Sequence, residues 1–283
     1  MVTFDGTYYI RYYNGDNSWL SSFPFGYPLI IKFFKLIISE EVLAAGIAVA
    51  IFGSALLFPL SQILNHLFSK KVGLLLLLVA AFNPVVLYYS SVTYSELPFL
   101  FFLIFSLWMY FKNNQFLAVL FASISYLIRP EGLIFAIGYT IIFFIKDRQW
   151  KNLFITTLII SSILLLFMVE NHSRNGEWAI SSKISNINLN NIDDWKMNEE
   201  TRHSGDIPTI SELTKNIANQ YPKRFFALLK SINISSTWLL VIIGLIGLVI
   251  RKNILWLFIL QLFLTPLSGM NPSLRFGLPY FYA

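Results

Sequence analysis

Eight stretches of the chain carry no charged side chain and are built mainly from Leu, Ile, Val, Phe and Ala: 42–64, 72–91, 97–111, 115–128, 132–145, 153–169, 236–250 and 254–267. A helix rises about 1.5 Å per residue, so roughly 20 apolar residues cross the hydrocarbon of a bilayer. The first two stretches reach that length. The other six run 14 to 17 residues and cross only with snorkelling ends, local thinning or burial among neighbouring helices. Only 13% of the 283 residues are charged, about half the fraction in soluble domains. The expected fold class is all-α: a polytopic transmembrane helix bundle whose outer-face loops carry short interfacial helices.

Charge placement orients this bundle. If the chain starts outside and crosses at each stretch, the inner connections hold Lys70, Lys71, Lys112, Lys146, Arg148, Lys151, Arg251 and Lys252 against one acid, Asp147. The short outer connections hold only Arg129 and Arg275. Basic loops stay in the cytoplasm, so the expected location is the cell membrane with the acids on the non-cytoplasmic side. The net charge of +6 is then a consequence of topology and does not imply a nucleic-acid partner. Cysteine is absent, which excludes disulfides, thiol nucleophiles and cysteine metal sites. Met1 is followed by polar and aromatic sequence, and another apolar run starts at Phe281-Tyr282-Ala283. The chain is therefore expected to be cut at both ends, lacking at least one leading and one trailing helix.

The whole chain, 1–283, reads as a single transmembrane domain: a first outer loop (1–41), a helix bundle (42–170), a large outer loop (171–235) and further, incomplete crossings (236–283). Within the first loop, Leu29 to Ser39 is apolar except for Lys32 and Lys35, as in a helix lying in the interface with snorkelling lysines. In the large loop, Thr209 and Glu212 form a capping box, and Pro222 opens a segment with Phe225, Phe226 and Leu229 that reads as a surface helix. Asn83-Pro84 falls inside a crossing and predicts a kink.

Few residues can carry chemistry. Asp5 sits at the outer rim beside two tyrosines, where a carboxylate serves as a base or simply as a solvated acid. Glu96 opens an apolar stretch, where it stabilises a helix N-terminus capped by Ser95 or, next to Asp5, completes a carboxylate pair suited to base catalysis or cation binding. Arg129 lies between two apolar stretches, where a guanidinium needs a partner. That partner is either Glu131 or Glu96, or a bound phosphate. Arg275 is the same kind of case. His66, His172 and His203 are too far apart for a metal motif, and there is no phosphate loop or nucleophile elbow.

The order of these pieces resembles the GT-C superfamily of membrane glycosyltransferases, in the branch akin to protein O-mannosyltransferases and aminoarabinose transferases. The resemblance rests on Asp5-Gly6-Thr7-Tyr8-Tyr9 and Phe25-Gly26-Tyr27-Pro28-Leu29, then Asn83-Pro84 with Tyr88-Tyr89-Ser90 and Ser95-Glu96. It continues in Leu127-Ile128-Arg129-Pro130-Glu131-Gly132-Leu133, Arg174-Asn175-Gly176 and Tyr221-Pro222-Lys223-Arg224-Phe225. It implies transfer of a sugar from a polyprenyl-phosphate carrier to a glycan, lipid or protein acceptor on the outer face. It implies Asp5 as the catalytic acid residue of the first loop and Glu96 as a second. Arg129 and Arg275 are expected near the carrier phosphate, and Tyr8 and Tyr27 with the substrate. A divalent cation is compatible with two or three acids, though no ligand spacing demands one. The competing expectation is a polytopic transporter or lipid flippase, which would show inverted repeats and ionisable groups at mid-membrane. A third is a non-catalytic fragment of a longer transferase.

Overall fold

The computed structural model describes residues 6, 7, 9, 10, 24–82, 84–176 and 178, all within the unit 1–181. Among the described residues the only regular elements are α-helices, and there is no strand. They are α1 (Gly26–Lys35), α2 (Glu41–Leu67), α3 (Lys70–Ala81), α4 (Pro84–Ser91), α5 (Glu96–Phe111), α6 (Gln115–Ile128), α7 (Gly132–Asp147) and α8 (Trp150–Asn175). Two of them, α2 and α8 up to Arg174, are long and apolar enough to cross a membrane; α5 and α6 are shorter apolar helices.

Local chemistry sets the boundaries. The Glu40 carboxylate caps α2 by accepting from the amides of Val42 and Leu43. Asn114 caps α6 in the same way through Leu117 N, 3.2 Å away. Arg129 ends α6 in an extended conformation (φ −148°, ψ 134°), because a residue before proline is pushed out of the helical region. The stretch 72–91 is two helices where one kinked crossing was expected, with Phe82 as the C-cap of α3 and Pro84 opening α4. Two further expectations shift. The first-loop helix starts at Gly26 and ends at Lys35, because proline is tolerated in a first turn. And α8 runs past 170 to Asn175, stopping at Gly176, whose φ of 72° glycine adopts without strain. The Asn171-His172-Ser173 segment is therefore helical, with Asn171 buried.

Ring contacts give the helix directions. Phe52–Phe101, Phe58–Trp108 and His66–Phe111 pair in order along α2 and α5, which run the same way. Lys146 Nζ donates to Asn113 Oδ1 (2.7 Å), tying the end of α7 to the start of α6. Tyr126–Phe167 pairs the late turns of α6 and α8. One end of the unit thus carries the starts of α1, α2, α5 and α7 and the end of α6; the opposite end carries the starts of α3, α6 and α8. The first end holds Glu40, Glu41, Glu96, Glu131 and Glu170 beside Lys32, Lys35, Arg129 and Arg174, with Lys35 paired to Glu41 and Arg174 to Glu170; the second holds Lys70, Lys71, Lys112, Lys146, Arg148 and Lys151 against the lone acid Asp147. Between the ends the outer surface is apolar: Leu74, Leu75, Leu78, Leu158, Leu165 and Leu166 are all exposed.

The core gathers toward the acidic end, where Tyr9, Tyr27, Ile31, Val49, Leu97 and Ile128 form one buried cluster. Gly26 lets α1 meet the end of α6: a Cβ on it would lie 2.5 Å from Leu127 O. Gly26→Ala is expected to destabilise the purified protein by about 1–3 kcal/mol. Gly46→Ala, with nothing within 4 Å, is expected to be neutral or to stabilise by up to about 1 kcal/mol, because alanine favours the helix. Thermal unfolding in detergent distinguishes them, and equal midpoints for the two variants would contradict the close packing of α1 on α6.

Candidate functional site

The acidic end brings together three segments far apart in sequence. Glu96 is the first residue of α5, Arg129 the C-cap of α6 and Glu131 the residue before α7. Arg129 Nη1 donates to Glu96 Oε1 at 2.6 Å, and Arg129 Nε lies 3.7 Å from Glu131 Oε2. The second distance is an ion pair without a hydrogen bond, as expected for residues two apart on a turn. The Arg129 guanidinium also lies 5.7 Å from the centre of the Phe99 ring, within cation–π range. Its side chain is 11% exposed, against 21% for Glu96.

Burial alone would lower the Arg129 pKa; the Glu96 and Glu131 carboxylates more than offset this and hold it above its ordinary value. Arg129 is therefore a permanent cation set between two carboxyl groups. Of the three partners weighed for Arg129 from sequence, both glutamates are present, so a phosphate would have to share the guanidinium with two carboxyl groups.

The first loop packs on this trio. Tyr9 is buried, and its hydroxyl donates to Ser95 Oγ at 3.0 Å. Ser95 does not cap α5 with its side chain as expected. Its backbone is helical (φ −80°, ψ −6°) and not extended as side-chain capping requires, and its hydroxyl is engaged by Tyr9. Gly6 fits against Thr93 so closely that a Cβ there would overlap Thr93 Oγ1. Tyr27 is fully buried, its ring edge-on to Tyr9 at 4.8 Å. Among the described residues its hydroxyl has no hydrogen-bond partner. Burial, then the nearby Tyr9 and Glu96, push its pKa well above the ordinary phenol value, so it is a neutral donor.

Of the residues singled out from sequence, Glu96, Arg129 and Tyr27 meet at this end. Asp5, Tyr8 and Arg275 lie outside the described residues. The structure adds Tyr9 and Thr93, and brings in Ser95 and Glu131, which the sequence offered only as a cap and as an ion-pair partner. Tyr9 lies in a motif of the sequence resemblance and Thr93 does not, and nothing in their local pattern distinguishes either from an ordinary turn residue. Among the described residues no group of three or more His, Cys, Asp or Glu could hold a metal ion. Chemically, the arrangement offers an oriented carboxyl group of intermediate exposure, a fixed cation and a buried phenol. Comparison with family models, curated proteins and solved structures finds no match.

Proposed function

We propose that the chain is a multi-pass membrane glycosyltransferase that moves a sugar from a polyprenyl-phosphate carrier to an acceptor at its acidic, non-cytoplasmic end. The observation that carries this reading is the joining of Glu96, Arg129 and the first loop at one end of an apolar-surfaced helical unit. A lipid-linked donor stays in the bilayer while its phosphate reaches the rim, and only a site at a helix end can meet it. The acceptor hydroxyl oxygen attacks the anomeric carbon, the bond from that carbon to the phosphate oxygen breaks, and the proton passes to a carboxylate. Glu96 suits the last role because Arg129 Nη1 holds its Oε1 in place. Asp5, one residue before the Gly6 that packs on Thr93, is the second carboxylate of the proposal. The departing phosphate gains from positive charge; Arg129 and Arg275 are the proposed sources. Tyr8 would line the sugar; Tyr27, expected there from sequence, is fully buried and would only support the site from behind.

The same reading places six crossings among the described helices, with α3 and α4 sharing one, and sets α1 in the interface. Leu29, Phe33, Leu36 and Ile37 are exposed on or just after α1, as an interfacial helix requires. Ionisable groups gather at helix ends, which favours a transferase over the transporter alternative.

Two measurements test the proposal. Single cysteines at Lys71, Lys112 and Arg251 are expected to react with a membrane-impermeant maleimide only from the cytoplasm, and those at Ser91 and Asn190 only from outside. The cysteine-free sequence removes background. Cytoplasmic labelling at Ser91 and Asn190 would invert the topology. In membranes containing the full chain, a labelled polyprenyl-phosphate sugar is expected to lose its sugar to an acceptor; a donor left intact under all acceptor classes would overturn the activity.

A further inference from the structure

The first loop meets the start of α5 through two contacts. Gly6 and Tyr9 are both helical, and residues three apart on a helix share a face. Gly6 packs on Thr93 with no room for a Cβ, and the Tyr9 hydroxyl donates to Ser95 Oγ at 3.0 Å. Thr93 and Ser95 lie in the short segment 92–95 that leads into Glu96, the first residue of α5. We propose that Tyr9 is a positioning residue for sugar transfer: its hydroxyl, acting through Ser95, sets the start of α5 and with it the place of Glu96 relative to the first loop. The inference rests on the reading of this end as the transfer site.

The contact is buried throughout. Tyr9 is 4%, Thr93 1% and Ser95 3% exposed, so water does not compete for the bond and its low-dielectric surroundings strengthen it. The Tyr9 ring is itself held. Tyr27 meets it edge-on at 4.8 Å, and both belong to the buried cluster that contains Leu97 and Ile128, the chain neighbours of Glu96 and Arg129. A serine before a helix ordinarily caps it. The Ser95 side chain makes no cap bond to α5, and the bond from Tyr9 stands in that place. Glu96 is thereby fixed twice, its carboxyl by Arg129 Nη1 at 2.6 Å and its backbone by the first loop. Asp5 immediately precedes Gly6 in the chain, so the same clamp would couple the two proposed carboxylates. Such coupling matters because a misplacement of about 1 Å can cost on the order of a hundredfold in rate.

Tyr9→Phe removes the hydroxyl and keeps the ring. In membranes containing the full chain, kcat for transfer from a polyprenyl-phosphate sugar is expected to fall about tenfold, with the donor KM unchanged. Ser95→Ala is expected to match it, and the double variant to be no slower than either single one, because all three lose the same bond. Tyr139→Phe removes another fully buried phenol, on α7, and is expected to keep the parent kcat. A parent-like kcat in Tyr9→Phe, additive losses in the double variant, or an equal loss in Tyr139→Phe would overturn the role. Hydrogen exchange followed by mass spectrometry on the full chain in detergent gives a readout independent of activity. Peptides covering 92–97 are expected to exchange faster in Tyr9→Phe than in the parent, and at the parent rate in Tyr139→Phe. Unchanged exchange in Tyr9→Phe would overturn the clamp whether or not sugar is transferred. A parent that transfers no sugar, with faster exchange in Tyr9→Phe, would sink the transferase reading and keep Tyr9 as the residue that sets Glu96.

Discussion

Glu96→Gln is expected to slow sugar transfer by about a hundredfold to ten-thousandfold, the usual contribution of a positioned base. Glutamine keeps the length of the side chain and an oxygen able to accept from Arg129 Nη1, the bond that is 2.6 Å in the parent. It loses the charge and the basicity. The cost to folding is confined to a weaker charge–dipole term at the start of α5, about 0.3–1 kcal/mol, and to a weaker pair with Arg129. The protein is therefore expected to accumulate and remain helical while turnover collapses. Asp5→Asn is expected to have at least as large an effect, since the family resemblance gives Asp5 the leading role. The measurement is the initial rate of transfer from a polyprenyl-phosphate sugar, normalised to protein in the membrane. Near-normal turnover in Asp5→Asn would remove the main catalytic assignment; near-normal turnover in both variants would leave the carboxylates structural.

Arg129→Ala carries the largest expected effect on stability. It removes the cation from between two carboxylates whose side chains are 21% and 13% exposed, and breaking a largely buried pair costs about 3–5 kcal/mol because the remaining charges stay desolvated. Arg129→Lys keeps the charge and loses the fork that reaches Glu96 and Glu131 at once. It is expected to fold, to melt between the parent and the alanine variant, and to bind a polyprenyl-phosphate analogue more weakly than the parent, with Arg129→Ala weaker still. Thermal unfolding in detergent and a binding titration read the two effects separately. Variants that melt at lower temperature yet bind the analogue as tightly as the parent would make Arg129 an ion-pair partner only, with the phosphate site elsewhere. A parent-like melting temperature for Arg129→Ala would mean the trio adds nothing to stability.

The all-helical character of the described residues, the main helix boundaries and the separation of charge between the two ends could be read from the sequence. These features are local or additive. An apolar run of about 20 residues has only one economical way to satisfy its backbone in lipid; Arg129 before Pro130 leaves the helical region for steric reasons alone; and six lysines and arginines against Asp147 separate by position along the chain. Other boundaries needed the structure. Gly176 stops α8 only because the helix reaches it, and the stretch 72–91 is two helices where one kinked crossing was expected. The partner of Arg129 was a three-way choice in sequence. Glu96 is 33 residues away, and only the antiparallel packing of α5 and α6 sets its carboxylate against the guanidinium. The capping role expected of Ser95 gave way to a contact from Tyr9, 86 residues away. Sequence determines which residues are polar and where helices begin. Which polar groups meet is decided by helix packing, because pairs so far apart in the chain are joined only when the intervening helices reverse and dock.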